Sequence, residues 1–131
     1  MSAEYILSQG NRDVILCERG IKTFETSLRF TLDISAVPVA KAGSHLPVIV
    51  DPSHASGVRE FVPALAQAGI AAGADGIMVE VHDNPAKAMC DGPQALLPDA
   101  FAGLMKTLAA IAAVLGKSFS THAAAPLVET R

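Results

Sequence analysis

The stretch Pro47-Val-Ile-Val-Asp51-Pro52-Ser53-His54 decides how the rest of the chain is read. An apolar run bounded by a proline and an Asp-Pro turn signal reads as a short, fully buried strand. Its polar end delivers His54. Gly76-Ile-Met-Val-Glu80-Val-His82 is built the same way and delivers Glu80, and Asp13-Val-Ile-Leu-Cys-Glu18-Arg19-Gly20 delivers Arg19. The expected strands are therefore 13–18, 47–51 and 76–81.

Helical sequence lies around them. Residues 3–9 suggest a helix closed by Gly10. Thr31 to about Val39 suggests another, ended or kinked by Pro38. Val58 to Ala72 places Phe61, Leu65, Ala68 and Ala72 on one face, with Gly69 for close packing, Gly73 as a cap and Pro63 in the first turns. Pro85 to Met89 reads as a short helical turn and Asp91-Gly92-Pro93 as a chain reversal. From Pro98 to Leu115, Phe101, Leu104, Met105, Leu108, Ile111, Ala112 and Leu115 hold a helical stripe that Gly116 closes. Residues 1–116 are expected to form one folded unit, and 117–131, which lack periodicity, a loosely ordered tail.

Strands alternating with helices imply an α/β fold with a parallel sheet and right-handed crossovers. Near-continuous apolar strands call for cover on both faces, or for the lining of a barrel. Ligands in such folds sit at the carboxyl ends of the strands, where Arg19, His54 and Glu80 all fall.

A length of 131 residues fits one domain. A net charge of −3 offers no footprint for nucleic acid or an anionic membrane. No apolar run approaches the roughly 18–20 residues of a membrane span, and the start lacks the basic and apolar regions of a signal peptide. Two cysteines, Cys17 and Cys90, make no disulfide framework. The expectation is a soluble cytoplasmic protein without nucleic-acid or membrane partners.

His54, Glu80 and Asp91 provide one imidazole and two carboxylates, a donor set that suits Mn²⁺, Fe²⁺, Co²⁺ or Zn²⁺. The plainer reading has His54 capping a turn, Glu80 paired with a lysine and Asp91 closing an Asx-turn with Gly92. Spacing leaves both open for Asp91. A buried strand has little reason to end in Glu80 unless something binds it. Arg19 would grip a phosphate or carboxylate, with Gly20 admitting the ligand to the backbone, or would pair with Glu18 or Glu80. Asp51 either orients His54 or forms an Asx-turn. His45, His82 and His122 read as solvated, Cys17 as a small core residue, and Cys90 as a neighbour of the Asp91 site. There is no Walker or Rossmann loop and no G-x-S-x-G motif.

Ile15-Leu-Cys-Glu-Arg-Gly-Ile-Lys-Thr-Phe-Glu25, Val48-Ile-Val-Asp-Pro-Ser-His-Ala-Ser-Gly57 and Gly73-Ala-Asp-Gly-Ile-Met-Val-Glu-Val-His82 resemble the type I-beta 3-deoxy-D-arabino-heptulosonate 7-phosphate (DAHP) synthases. The resemblance runs from about Ala3 to about Leu115. It implies a (β/α)8 TIM barrel that joins phosphoenolpyruvate to erythrose 4-phosphate, releasing phosphate, at the first step of the shikimate pathway. It also implies that His54, Glu80 and Asp91 (in Cys-Asp-Gly-Pro-Gln) hold a divalent metal, His54 serving catalysis as well. Arg19 matches the arginine that holds the phosphoenolpyruvate phosphate.

A whole barrel takes roughly 200 residues or more, and this chain matches strands six to eight. The family's metal cysteine lies on its first strand, a position that neither Cys17 nor Cys90 occupies, and its Lys-Pro-Arg-Thr-Ser loop is absent. The isolated chain is therefore expected to lack activity. A cut sheet exposes edges and an apolar face, so the expected partner is a second copy or a complementary barrel fragment. The rival readings are a 3-deoxy-octulosonate 8-phosphate synthase-like fragment and a non-catalytic half-barrel.

Overall fold

The computed structural model describes residues 2–119. Their order is α1 (Ser2–Ser8), β1 (Leu16–Glu18), α2 (Ala36–Gly43), β2 (Val48–Val50), α3 (Pro52–Ser56), α4 (Val62–Ala71), β3 (Gly76–Ile77) and α5 (Pro98–Val114). Short 3-10 turns lie at Arg59–Phe61, Pro85–Lys87 and Gly92–Gln94. Most of the expected tail, residues 120–131 with His122, lies outside the described residues.

The three strands form one parallel sheet in the order β1-β2-β3, as the alternation of elements implies. Leu16 pairs with Val48 and Glu18 with Val50, and Ile49 pairs with Gly76 on the other side. This register brings the carboxyl ends of all three strands to one edge. The regular pairing is shorter than the apolar runs. Beyond β3 the backbone continues to a further parallel segment that the sequence reading lacks, through Leu96 N–H to Glu80 C=O (2.8 Å) and His82 N–H to Leu96 C=O (2.9 Å).

Val48 and Val50 point to the face covered by α4 and α5, where Val37, Val62, Ala66, Ile70, Leu104 and Leu108 complete the core. The opposite face has no second layer among the described residues. There Cys17 is exposed, Ile49 is half-buried and Met78 keeps 47% of its surface. The expectation of Cys17 as a core residue is thus corrected. Strand side chains alternate, so the neighbours that share the face of Cys17 are Ile49 and Gly76, not Leu16 and Val48.

Two helix expectations also change. Pro38 neither ends nor kinks its helix but is the third residue of α2, where an absent N–H costs no intrahelical bond. On α4 the inward residues are Val62, Ala66, Gly69 and Ile70, one position on from the expected stripe, and Phe61 is 49% exposed. Gly69 sets this rotation. A Cβ on it would meet the Val50 side chain at 3.0–3.3 Å, so the helix seats its smallest residue directly on the central strand. On α5 the expected stripe is correct in Leu104, Leu108 and Ala112, which are buried.

The amino ends of the strands are tied together by Asp75. Its carboxylate accepts from Lys41 Nζ (2.6 Å), Val48 N–H (2.9 Å) and Lys117 Nζ (3.3 Å), while Lys117 also donates to Gly73 C=O (2.7 Å). Burial pushes the Asp75 carboxyl up, but the hydrogen bonds from Lys41, Val48 and Lys117 outweigh it and hold the group below its ordinary value. No helix among the described residues is long and apolar enough to cross a membrane.

Candidate metal and anion site

At the carboxyl ends of the strands, β2 runs directly into α3. Asp51 is the cap of that helix, with Pro52 at its first position, where a missing N–H is harmless. One Asp51 oxygen, Oδ1, accepts from the His54 backbone N–H (3.0 Å), and the other, Oδ2, lies 2.7 Å from His54 Nδ1. Asp51 is fully buried. Both expected roles, turn cap and orienter of His54, belong to the same carboxylate. Because a carboxylate only accepts, a ring proton sits on Nδ1, and Nε2 is the nitrogen turned toward Glu80 and Asp91.

Glu80 arrives from the chain beyond β3. Its N–H donates to the buried Ser53 hydroxyl (3.1 Å) and its C=O accepts from Leu96. The residue is therefore held between α3 and the fourth parallel segment, and its Oε1 stands 3.3 Å from His54 Nε2. Asp91 enters from the loop before α5, with its Oδ2 at 3.8 Å from the same nitrogen. The expected trio meets: donor atoms of His54, Glu80 and Asp91 all lie within 4.8 Å of one another.

An imidazole nitrogen facing two part-exposed carboxylates is an arrangement that can hold a cation. The donor set fits a metal. Ligands about 2.1 Å from a divalent ion stand roughly 3.0–3.4 Å apart, close to the His54–Glu80 separation.

The Asp91 loop is under steric constraint. Asp91 has φ 56 and ψ 18, the only non-glycine residue with positive φ among those described. A Cβ on Gly92 would come within 2.2 Å of the Pro85 carbonyl oxygen, so only glycine fits there. Arg59 braces the loop by donating from Nε to Ala95 C=O and from Nη2 to Gly92 C=O (2.8 Å). The buried Gln94 donates its amide to Asp91 Oδ1, and Arg29 Nη1 stands 4.0 Å from the same oxygen. Gln94, Arg29 and Arg59 were not singled out from sequence. Only Gln94, inside the Cys-Asp-Gly-Pro-Gln motif, carried a local signal.

Arg19 is half-exposed. It pairs with neither Glu18 nor Glu80; its Nε lies 3.6 Å from Asp51 Oδ2. Glu18 is occupied elsewhere, accepting from Gly20 N–H (2.9 Å) and Asp33 N–H (3.2 Å). A Cβ on Gly20 would meet Phe30 Cβ at 2.7 Å and Ala55 Cβ at 3.2 Å, so this glycine makes room for Phe30. The Cys17 thiol is pushed up by desolvation first, then by Asp51 and Glu18, with Arg19 opposing. Cys90 and Asp91 share an open cleft of about 670 Å³ with Arg59, Asn84 and Leu97, but Cys90 is outside the donor cluster. His82 faces Asp83 in an outer loop (3.0 Å) and His45 is exposed.

Known proteins share this sequence and fold. The family model described as "DAHP synthetase I family" matches residues 1–115. A phospho-2-dehydro-3-deoxyheptonate aldolase of Thermotoga maritima is 53% identical over 116 residues, covering 88% of this chain and 34% of the relative. A 2-dehydro-3-deoxyphosphooctonate aldolase of Pelobacter propionicus is 40% identical over 124 residues, 86% of this chain and 44% of the relative. Among solved structures, a truncated form of 3-deoxy-D-arabino-heptulosonate 7-phosphate synthase from Thermotoga maritima superposes with a TM-score of 0.88 at 52% identity. That superposition covers 91% of this chain and 45% of the other. This chain thus spans between about a third and a half of the proteins it matches. A match over 115 residues, with the same fold at 52% identity, means that the chain belongs to the DAHP synthetase I family.

Proposed function

We propose that this chain supplies the metal-binding and phosphoenolpyruvate-phosphate side of a 3-deoxy-7-phosphoheptulonate synthase, in the part of the barrel corresponding to strands six to eight. The observation that carries the reading is the convergence of His54 Nε2, Glu80 and Asp91, with Asp51 behind the ring. His54, Glu80 and Asp91 hold a divalent ion, Mn²⁺, Fe²⁺, Co²⁺ or Zn²⁺. When bound, the ion supplies Lewis acidity toward a sugar aldehyde oxygen or a water.

The chain's own residues do the rest of what is assigned to it. Asp51 keeps the His54 proton on Nδ1, so Nε2 remains a donor. The Arg19 guanidinium, half-exposed beside the site, receives the phosphate of phosphoenolpyruvate and balances its charge as C3 attacks the aldehyde. The catalytic activity belongs to this segment together with the polypeptide that completes the barrel, a complementary fragment or a second copy covering the Cys17–Ile49–Met78 face. A cytoplasmic setting suits such a biosynthetic enzyme. Identity of 53% with the heptulosonate enzyme against 40% with the octulosonate one favours erythrose 4-phosphate as the second substrate.

The test is calorimetric titration of the full chain with Mn²⁺. His54→Ala and Glu80→Ala should each abolish binding without altering the circular-dichroism spectrum. Unchanged Mn²⁺ binding in both variants refutes the assignment.

A further inference from the structure

The two oxygens of Asp91 face different surroundings. Oδ2 is turned to His54 Nε2 at 3.8 Å. Oδ1 is turned the other way, accepting from the Gln94 amide nitrogen with the Arg29 guanidinium 4.0 Å off. Gln94 is only 4% exposed, and no buried side-chain nitrogen or oxygen among the described residues lacks a hydrogen-bond partner. A buried amide held against one oxygen of a carboxylate fixes both its rotation and its charge distribution.

We infer that Gln94 is a positioning residue that divides the Asp91 carboxylate, committing Oδ1 to the protein and leaving Oδ2 for the metal. The inference rests on the metal reading of His54, Glu80 and Asp91 and adds to it the number of oxygens Asp91 can offer. Three features of the loop make Gln94 suited to this. Asp91 begins in a left-handed conformation, Gly92 is wedged against Pro85, and the 3-10 turn Gly92–Gln94 brings residue 94 back over residue 91. The backbone alone therefore presents the carboxylate to the site, and the amide selects which oxygen is presented. Arg29 reinforces the choice. Its backbone N–H is bonded to Ser56 C=O (3.3 Å) and that of Phe30 to Ala55 C=O (2.9 Å), which anchors the guanidinium to the helix that carries His54. With the donor removed, the carboxylate is free to rotate, and an approach of both oxygens to the ion becomes accessible.

The experiment uses CoCl₂ as the probe, because the visible absorption of Co²⁺ reports the number and geometry of its ligands. Gln94→Met keeps the side-chain shape and removes the donor; Gln94→Asn keeps the amide but shortens its reach, and serves if the first variant folds poorly. The wild-type chain is expected to bind Co²⁺ with a defined visible band. Gln94→Met is expected to bind about 10–100-fold more weakly, the usual range for loss of a hydrogen bond to a metal ligand, and with a shifted band. Gln94→Met should leave the circular-dichroism spectrum and the urea midpoint measured without Co²⁺ close to wild type, which separates positioning of Asp91 from a general packing role. Unchanged affinity and band in folded Gln94→Met, with wild-type binding intact, overturns the role of Gln94 and leaves the metal reading standing. Absence of Co²⁺ binding by the wild-type chain overturns both.

Discussion

Asp51→Asn tests the centre of the site with the smallest change available. The carboxylate serves two donors at once, the His54 backbone N–H at 3.0 Å and His54 Nδ1 at 2.7 Å. A carboxamide has one oxygen and cannot serve both. If the oxygen keeps the helix cap, the amide nitrogen faces Nδ1, which must become an acceptor. The ring proton then moves to Nε2 and points at Glu80 and Asp91. If the amide turns over, the ring keeps its tautomer but two N–H groups face each other at the cap, and a capping bond of about 0.5–2 kcal/mol is lost. The metal-binding tautomer is therefore either lost or kept only at the cost of the cap that holds His54 in place. Loss of such an orienting partner weakens metal affinity about 10–100-fold, or about 1.4–2.7 kcal/mol. The assay is Mn²⁺ calorimetry together with nitrogen NMR of the imidazole, which distinguishes the two tautomers. Mn²⁺ affinity within about twofold of wild type would refute the reasoning whichever tautomer is seen, since an order of magnitude is the least that such a partner contributes.

Three further substitutions probe the scaffold. Gly92→Ala places a methyl group where the Pro85 carbonyl oxygen stands 2.2 Å away, so the Asp91 loop must shift; Mn²⁺ affinity should fall, by calorimetry, while the sheet core stays folded by circular dichroism. Gly69→Ala crowds the fully buried Val50 at 3.0 Å and should cost about 1–3 kcal/mol in urea unfolding, with no change in metal affinity per folded molecule. Asp75 is held below its ordinary value of 3.8 when folded, so its contribution is present above that pH and fades as pH falls toward the folded value. Asp75→Asn should therefore lower the urea midpoint at pH 7 and flatten its decline below about pH 4.

The strand ends were legible because an apolar run ending in a polar cluster is a local signal. Leu16, Val48 and Val50 read correctly as strand residues, and their register brings the carboxyl ends of the strands to one edge. Cys17 misled because apolar neighbours in sequence, Ile15 and Leu16, lie on alternating sides; Ile15 is itself 58% exposed. On α4 every candidate face was apolar enough to be buried, and the choice fell to Gly69 against Val50, a contact between distant elements. The segment around Leu96 pairs through too few residues to leave a periodic trace. Arg29 and Arg59 act across the fold on Asp91 and on its loop carbonyls, and nothing in their flanking sequence records those partners. The trio His54, Glu80 and Asp91 was nameable because each follows a recognisable strand or turn. That they meet within 4.8 Å depends on the sheet register.

Asp91 sits in a backbone conformation that glycine adopts freely and other residues enter at a cost on the order of 1 kcal/mol. That backbone cost is set against what the side chain gives back to the loop. Asp91→Gly would relieve the backbone and remove one of two carboxylates facing the same imidazole, but it would also leave the buried Gln94 amide without its acceptor, a loss of about 1–3 kcal/mol. The left-handed Asp91 is thus held in place by the same amide that would be stranded by its loss, so the conformation persists through a side-chain contact rather than through the backbone's own preference.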